Sequence, residues 1–243
     1  MENITEVKIF KSPKKVYNGI AKSLIKLTKD SKQEVFDIAL SGGNSPKGLF
    51  KKLSGKYKDE IPWKRIHFWW GDERCVAPTD EQSNYKMTVD YLLSKIDIPA
   101  ENIHRIRGEE DPEKEAKRYS KELEEKLKSR GKDPVFDLII LGLGDDGHTA
   151  SIFPDQLEFL DYPESCAVAV HPITGQQRIT ITGNVLNNSN RVYFLVTGES
   201  KAMRVSEIMN DSEAAKLLPA YYITPKNGNL IWFLDEEAAS LIS

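Results

Sequence analysis

One glycine-rich segment of the sequence combines a histidine with a nearby carboxylate. Asp146 and His148 stand two positions apart, between Gly144 and Thr149. A histidine titrates near pH ~6.5 in peptides, so it can accept a proton at neutral pH, and a neighbouring carboxylate can orient its ring. We therefore predict that His148 is a general base oriented by Asp146. A structural histidine in an ordinary turn is the alternative.

A second segment concentrates charge directly behind an apolar run. Asp72, Glu73 and Arg74 follow Ile66–Trp70, which has the composition of a buried strand. Charged side chains at the carboxyl end of a strand are well placed to contact a ligand. A salt-bridged turn on the surface is the alternative. Further along, Ser83 is typical of a helix N-cap.

A third segment is a glycine turn that could bind an anion. The apolar run before it ends in the residues Ser41, Gly42, Gly43 and Asn44. Pro46 is expected to open a helix, and the free backbone amides at a helix start attract anions. The turn lacks the GxxxxGK[ST] pattern of a nucleotide-triphosphate loop. An ordinary glycine turn is the alternative.

Two cations in the second half of the chain could complete an anion site. Arg178 begins a predicted strand, and Lys201 stands at the start of a predicted helix. Each of them alone is typical of a surface position. Together with the turn at residues 41–44 they could hold a phosphate monoester.

The elements that must position these residues follow from hydrophobic patterning. Short apolar runs predict strands over Phe36–Leu40, Ile66–Trp70, Phe136–Leu141, Ala167–Val170, Arg178–Thr182, Val192–Val196 and Leu230–Leu234. Amphipathic segments predict helices over Lys14–Thr28, Pro46–Leu53, Asn84–Ile96, Pro112–Arg130 and Lys201–Met209. Asp111 is the expected N-cap of the fourth helix, and Gly131 is expected just past its end.

Alternation of strands and helices predicts an α/β fold, with a mostly parallel sheet covered by helices on both faces. Ligands bind beyond the carboxyl ends of the strands in such sheets. The three segments above follow predicted strands, so we expect them to meet at that edge. The length of 243 residues fits a single domain over residues 1–243.

Composition narrows the class of protein further. The net charge is only −3, which argues against a general basic surface for nucleic acid. The amino terminus lacks the pattern of a signal peptide, and no apolar run is long enough to span a bilayer. Two separated cysteines and four scattered histidines predict neither a disulfide framework nor a metal site. We expect a cytoplasmic monomer that needs no cofactor.

The glycines of the His148 segment also match the dinucleotide-binding pattern GxGxxG, from Gly142 to Gly147. Two features argue against that interpretation. Pro154 follows too soon for the long helix that should come next, and Ala167–Val170 is followed by His171 instead of a ribose-binding carboxylate.

Taken together, these segments resemble the 6-phosphogluconolactonases of the oxidative pentose phosphate pathway. The resemblance covers essentially the whole chain, in order, and its most specific part is the segment from Leu141 to Pro154. The other matching parts are residues 41–46, 71–74 and 83–85, followed by Arg178, Thr197, Gly198, Lys201, Trp232 and Asp235. It implies a Rossmann-like fold similar to that of glucosamine-6-phosphate deaminases.

The deaminases carry a related loop, Gly-His-Ile-Ala-Phe-Asn-Glu-Pro, whose glutamate supports a ring-opening histidine. Here Phe153 stands at that glutamate position, which favours the lactonase over the deaminase. Asn44 replaces a usual serine or threonine, and Cys75 follows the charged triplet in place of the common form; both changes keep the turn chemistry.

The resemblance implies hydrolysis of 6-phospho-D-glucono-1,5-lactone to 6-phospho-D-gluconate. His148 would activate water, Arg74 would stabilise the oxyanion, and Asp146 would orient the imidazole. Asp72 would position Arg74 or a sugar hydroxyl. The phosphate would be held by Ser41, Gly42, Gly43, Asn44, Arg178 and Lys201. A sugar-phosphate isomerase or deaminase and a non-catalytic sugar-phosphate-binding protein are the alternatives.

Overall fold

The computed structural model describes residues 4–130, 133–226 and 228–242. Gly131, the residue expected past the end of the fourth helix, lies outside them. The described strands are β1 Ile4–Phe10, β2 Phe36–Leu40, β3 Ile66–Trp70, β4 Asp72–Arg74, β5 Ile103–His104, β6 Lys128–Arg130, β7 Asp133–Val135, β8 Leu138–Leu141, β9 Cys166–Val170, β10 Gln177–Ile181, β11 Arg191–Val196 and β12 Asn229–Asp235. The described α-helices are α1 Pro13–Asp30, α2 Asn44–Leu53, α3 Asn84–Tyr91, α4 Pro112–Lys126, α5 Gly183–Asn188 and α6 Ala202–Met209.

Seven of the described strands form one sheet in the order β1-β12-β11-β8-β2-β3-β5. Every neighbouring pair in it is parallel. Strands β2 and β8 are buried along their whole length, which explains why β8 is a continuous apolar run and why Asp37 is the one polar residue of β2. The predicted α/β class with a mostly parallel sheet is confirmed.

Helices cover both faces of this sheet. Trp69 on β3 shares one face with Val192 on β11, because both are in register with the strands between them. The Trp69 ring packs against Tyr119 of α4. Tyr193, the next residue of β11, points to the opposite face, where its hydroxyl hydrogen-bonds Ser23 of α1.

A second, antiparallel sheet of three strands, β4-β10-β9, lies beside the carboxyl end of the main sheet. The runs predicted as strands over Ala167–Val170 and Arg178–Thr182 belong to this small sheet. The strand β4 consists of the charged triplet itself. In its register with β10, Arg74 lies directly opposite Arg178, so the two side chains share one face.

The fourth helix is shorter than the sequence predicts. It begins at Pro112 with Asp111 as the N-cap, as expected, but ends at Lys126 instead of Arg130. Leu127 turns into the extended conformation and is buried. The next three residues pair with Asp133–Val135 as an antiparallel hairpin, so strand pairing and burial of Leu127 override the helical charge pattern.

The side of the sheet on which successive strands are added changes between β2 and β8, although the two strands are parallel. From β2 the chain proceeds to β3 and β5 on one side, whereas β8, β11 and β12 lie on the other side. The loops that follow β2 and β8 therefore diverge and leave a crevice between them, which is where open α/β sheets bind ligands. Among the described residues, no helix has the length and apolar composition needed to cross a membrane.

Candidate active site

A cavity of about 470 Å³ opens at this crevice, at the carboxyl end of the parallel sheet. Nine of the ten residues predicted for the site line it: Ser41, Gly42, Gly43, Asn44, Asp72, Arg74, His148, Arg178 and Lys201. The tenth, Asp146, is hydrogen-bonded to His148. The structure therefore brings together all ten residues that the sequence predicts for the site.

His148 and Asp146 form a close pair at one end of the cavity. Nδ1 of the ring lies 2.6 Å from Oδ1 of the carboxylate, and the same oxygen accepts the His148 backbone amide at 3.0 Å. Burial raises the pKa of the Asp146 carboxyl, but the hydrogen bonds and charge of His148 together have a larger, opposite effect. The net result is a pKa lowered to about 2. An ionised partner on Nδ1 leaves Nε2 as the ring nitrogen that can take a proton.

The glycines of this loop are needed for the pair to form. A Cβ atom at Gly144 would lie 2.1 Å from Nδ1 of His148 and 2.5 Å from Oδ1 of Asp146. Gly147 has a φ of +86°, which disfavours any other residue. Ala150 also has a positive φ, 49°, and such backbone conformations in non-glycine residues concentrate at functional sites.

An aromatic ring supports His148 from behind. Phe153 is fully buried, and its ring centroid lies 4.9 Å from that of His148. The guanidinium of Arg178 lies 5.5 Å from the centroid of the same ring. Phe153 stands where the related deaminase loop has a glutamate. His148 therefore has an apolar contact at this position and no carboxylate.

Arg74 and Arg178 each keep a hydrogen-bond donor without a partner among the described residues. The Nε atoms of both are buried and have no hydrogen-bond acceptor among the described residues. Arg74 donates from Nη1 to the Gln82 carbonyl. Burial lowers the pKa of Arg178, with Asp72 acting in the opposite direction. Two guanidinium groups that lack full partners beside a cavity predict an anionic ligand.

Asp72 is held rigidly beside these arginines. It is 4% exposed, and its Oδ2 accepts the hydroxyl of Ser151 at 2.7 Å. Its carbonyl oxygen accepts the side-chain amide of Asn84 at 2.9 Å. A Cβ atom at Gly42 would lie 1.8 Å from Oδ1 of Asn84, so a glycine is required where the two loops meet.

Glu73, in contrast, does not line the cavity. Its carboxylate accepts the backbone amides of Arg74, Asn84 and Tyr85 and the hydroxyl of Ser83. Burial raises the pKa of this carboxyl. Glu73 therefore fixes the start of α3, where Ser83 is the N-cap as predicted. Of the charged triplet, only Asp72 and Arg74 face the ligand space.

The opposite wall is formed by the start of α2. This helix begins at Asn44, two residues before the predicted Pro46, with Gly43 at a φ of 103° as its cap. Asn44, Ser45 and Pro46 of its first turn line the cavity, and the free amides of a helix start attract anions. Nζ of Lys201 also lines this cavity and lies 2.6 Å from Oδ1 of Asp145, a residue whose side chain is 75% exposed.

Comparison with known proteins decides the family. The family model described as glucosamine-6-phosphate isomerases/6-phosphogluconolactonase matches residues 11–232. The chain belongs to this family. It is 48% identical over 206 residues to a 6-phosphogluconolactonase of Haemophilus influenzae, covering 84% of this chain and 87% of that one. It is 42% identical over 196 residues to the enzyme of the same name from Treponema pallidum, covering 81% of each.

Solved structures of other proteins have the same architecture. The crystal structure of the devB protein superposes with a TM-score of 0.93 at 41% identity, over 99% of this chain and all of that one. A 6-phosphogluconolactonase from Thermotoga maritima gives a TM-score of 0.81 at 30% identity, over 96% and 100%. A monomeric glucosamine-6-phosphate deaminase, at 20% identity, shares the fold.

Sequence reasoning missed several residues that line the cavity. Tyr17 comes from α1, Ser45 from the first turn of α2, and Thr197 from the loop after β11. Ser45 adjoins the predicted anion turn, and Thr197 lies in a segment shared with the lactonases, so both could have been found. Tyr17 stands in an amphipathic helix and carries no local signal of function.

Proposed function

We propose that the protein hydrolyses 6-phospho-D-glucono-1,5-lactone to 6-phospho-D-gluconate, the lactonase step of the oxidative pentose phosphate pathway. The observation that carries this proposal is the pair His148–Asp146, which leaves one imidazole nitrogen available in a cavity that also holds partly unpartnered arginines. Relatives that are 42–48% identical bear the name of this activity.

In the proposed reaction His148 takes a proton from water as its oxygen attacks the lactone carbonyl. Arg74 stabilises the oxyanion that forms, and Asp146 stabilises the imidazolium. The intermediate then breaks its bond to the ring oxygen, which accepts the proton from His148. General base catalysis typically contributes ~10²–10⁴-fold and an oxyanion donor about 10²–10³-fold. The lactone is an activated ester, so the proposal needs no metal or cofactor.

In this proposal the phosphate group is bound where the start of α2, Arg178 and Lys201 line the cavity. The backbone of residues 41–44, Arg178 and Lys201 bind it. Each supplies N–H donors, and charged donors form the strongest hydrogen bonds to phosphate oxygens. Asp72 accepts a bond from a sugar hydroxyl or positions Arg74, because its fixed carboxylate lies beside that arginine.

The alternatives within the same chemistry are less well supported. A deaminase would need a carboxylate near the histidine ring at position 153, where the chain has the buried Phe153. A non-catalytic sugar-phosphate-binding protein would not need an oriented base, whereas His148 is held by two bonds to Asp146.

We also propose that the enzyme is a single-domain monomer of the cytoplasm that binds no nucleic acid. Residues 1–243 are proposed to act as one catalytic domain, since the buried apolar side chains of both halves belong to one hydrophobic core. The near-neutral net charge supports a protein without a nucleic-acid partner. A monomer is proposed because the exposed large apolar residues are few. The free cysteines suit the reducing cytoplasm.

The experiment that tests the function offers two substrates to the purified protein. Hydrolysis of 6-phosphogluconolactone is measured by proton release with the spontaneous rate subtracted, and ammonia release from glucosamine 6-phosphate is measured in parallel. We expect lactone hydrolysis far above background and no ammonia. Ammonia release would favour the deaminase, and product binding without turnover would favour the binding protein.

A further inference from the structure

Three hydroxyl groups from distant parts of the chain meet at the phosphate end of the cavity. Oγ of Ser45, in the first turn of α2, lies 2.8 Å from Oγ1 of Thr197, in the loop after β11. Tyr17, in the first turns of α1, lies close enough to Thr197 for that side chain to act on the pKa of the Tyr17 hydroxyl. All three residues line the cavity together with Lys201.

A glycine in the middle of α2 makes room for the tyrosine ring. A Cβ atom at Gly48 would lie 2.2 Å from Cε2, 2.4 Å from Cζ and 2.8 Å from the hydroxyl oxygen of Tyr17. A glycine inside a helix costs about 1 kcal/mol relative to alanine. Gly48 therefore lowers the stability of α2 at the position where the helix contacts the ring of Tyr17. The part of the ring in contact with Gly48 is its hydroxyl end.

The hydroxyl groups retain a proton for a ligand. Three hydroxyls carry three protons, and the hydrogen bond between Ser45 and Thr197 uses only one of them. Burial raises the pKa of Tyr17, with the Thr197 side chain opposing and the charge of Asp235 reinforcing the change, so the phenol stays protonated at neutral pH. The cluster can therefore donate to an oxygen atom at the start of α2, where the helix amides and Lys201 already favour an anion.

We propose that Tyr17 is a specificity-determining residue, whose hydroxyl binds a phosphate oxygen of the substrate. The inference rests on the proposed function, because that function places the phosphate at the α2 end of the cavity. Tyr17 makes the enzyme prefer a phosphorylated lactone over the sugar lactone without phosphate, and it takes no part in proton transfer.

The test compares Tyr17→Phe with Tyr193→Phe as the matched control. Tyr193 also bonds α1 through its hydroxyl, at Ser23, but lies outside this cavity. One hydrogen bond to a charged group predicts that Tyr17→Phe raises the KM for 6-phosphogluconolactone about 10-fold, with kcat unchanged. Tyr193→Phe should leave KM unchanged. Turnover of unphosphorylated glucono-1,5-lactone should be the same in all three proteins.

Binding measurements separate this inference from the proposed function. Titration calorimetry with 6-phosphogluconate and with inorganic phosphate needs no turnover, and Tyr17→Phe should weaken both by a similar factor. Gly48→Ala should reproduce the effect by displacing the ring. Unchanged affinity for both compounds in Tyr17→Phe would overturn the role of Tyr17, whereas weakened affinity in a protein without lactonase activity would overturn only the function.

Discussion

Two regions next to the parallel sheet each contain a histidine bonded to a carboxylate: the edge strand β5 with helix α4, and the crevice at the carboxyl ends of the central strands. The two pairs differ in what the second ring nitrogen does. Beside α4, His104 Nδ1 lies 2.9 Å from Glu122, and its Nε2 lies 2.9 Å from Nδ1 of His67. In the crevice, His148 bonds Asp146 through Nδ1 and lines the cavity. Both nitrogens of His104 are occupied, whereas His148 keeps one for chemistry.

The arginines show the same contrast. Arg118, beside His104, is bonded to both oxygens of Glu115 and to Glu122. Arg178, beside His148, has no acceptor for its buried Nε among the described residues. The charged groups around β5 and α4 are bonded to one another and stabilise the fold. The charged groups in the crevice lack part of their hydrogen-bond partners among the described residues, which is typical of a site for a charged substrate.

Apart from replacement of the histidines themselves, the largest expected effect in this comparison comes from neutralising the two carboxylates. Asp146→Asn should lower kcat about 100-fold, because the imidazolium formed during catalysis loses its counter-charge. It should also move the acid limb of the kcat/KM profile to lower pH, since the carboxylate, with a pKa of about 2, is charged throughout that range. Glu122→Gln should leave kcat unchanged and lower the melting temperature. Equal losses of kcat in both variants would contradict the claim that only the His148–Asp146 pair takes part in catalysis.

The next effect concerns the two arginines. Arg178→Ala should raise the KM for 6-phosphogluconolactone about 10-fold with a smaller change in kcat, because a charge-assisted contact to the phosphate is lost. Arg118→Ala should change stability and leave KM as it is. Steady-state kinetics beside thermal melting distinguishes the two, and an unchanged KM in Arg178→Ala would remove that residue from the phosphate site.

The smallest effect comes from a buried acid in β2. Burial raises the pKa of Asp37 from an ordinary value near 3.8 to about 6. Its ionisation therefore opposes folding, and this cost is absent below pH 3.8 and complete above pH 6. Asp37→Asn keeps an acceptor for Trp69 Nε1, 2.9 Å away. It should stabilise the protein by about 1 kcal/mol at pH 7.5, with the gain vanishing near pH 4.

Denaturant unfolding at several pH values measures this gain. Asp59→Asn, at an exposed position, is the control that should show no pH-dependent difference. A stabilisation that is the same at pH 4 and pH 7.5 would mean that ionisation of Asp37 does not oppose folding. Neither variant should affect kcat, because both lie away from the cavity.

The sequence predicted most of the site because its loops follow strands with strong local patterns. Strands β2 and β3 have the predicted bounds, and parallel strands bring the ends of distant segments to one edge. The opposition of Arg74 and Arg178 could not be predicted, since it depends on pairing between strands more than 100 residues apart. Tyr17 was missed because only tertiary packing against Gly48 directs it to the cavity.

The boundaries that were predicted wrongly have a similar cause. The charge pattern that favours a helix up to Arg130 is local, whereas the hairpin that ends α4 at Lys126 depends on residues after the turn. Strand β1, which was not predicted, has mostly exposed side chains because it lies at the edge of the sheet. Edge strands lack the continuous apolar run that identifies central ones.

The most direct test of this account is the kcat for 6-phosphogluconolactone in His148→Ala, with His104→Gln measured beside it and spontaneous hydrolysis subtracted. We predict a loss of roughly 10²–10⁴-fold in His148→Ala, with unchanged affinity for 6-phosphogluconate, and a normal kcat in His104→Gln. Near-normal turnover in His148→Ala would contradict the claim that the available nitrogen of this histidine activates water.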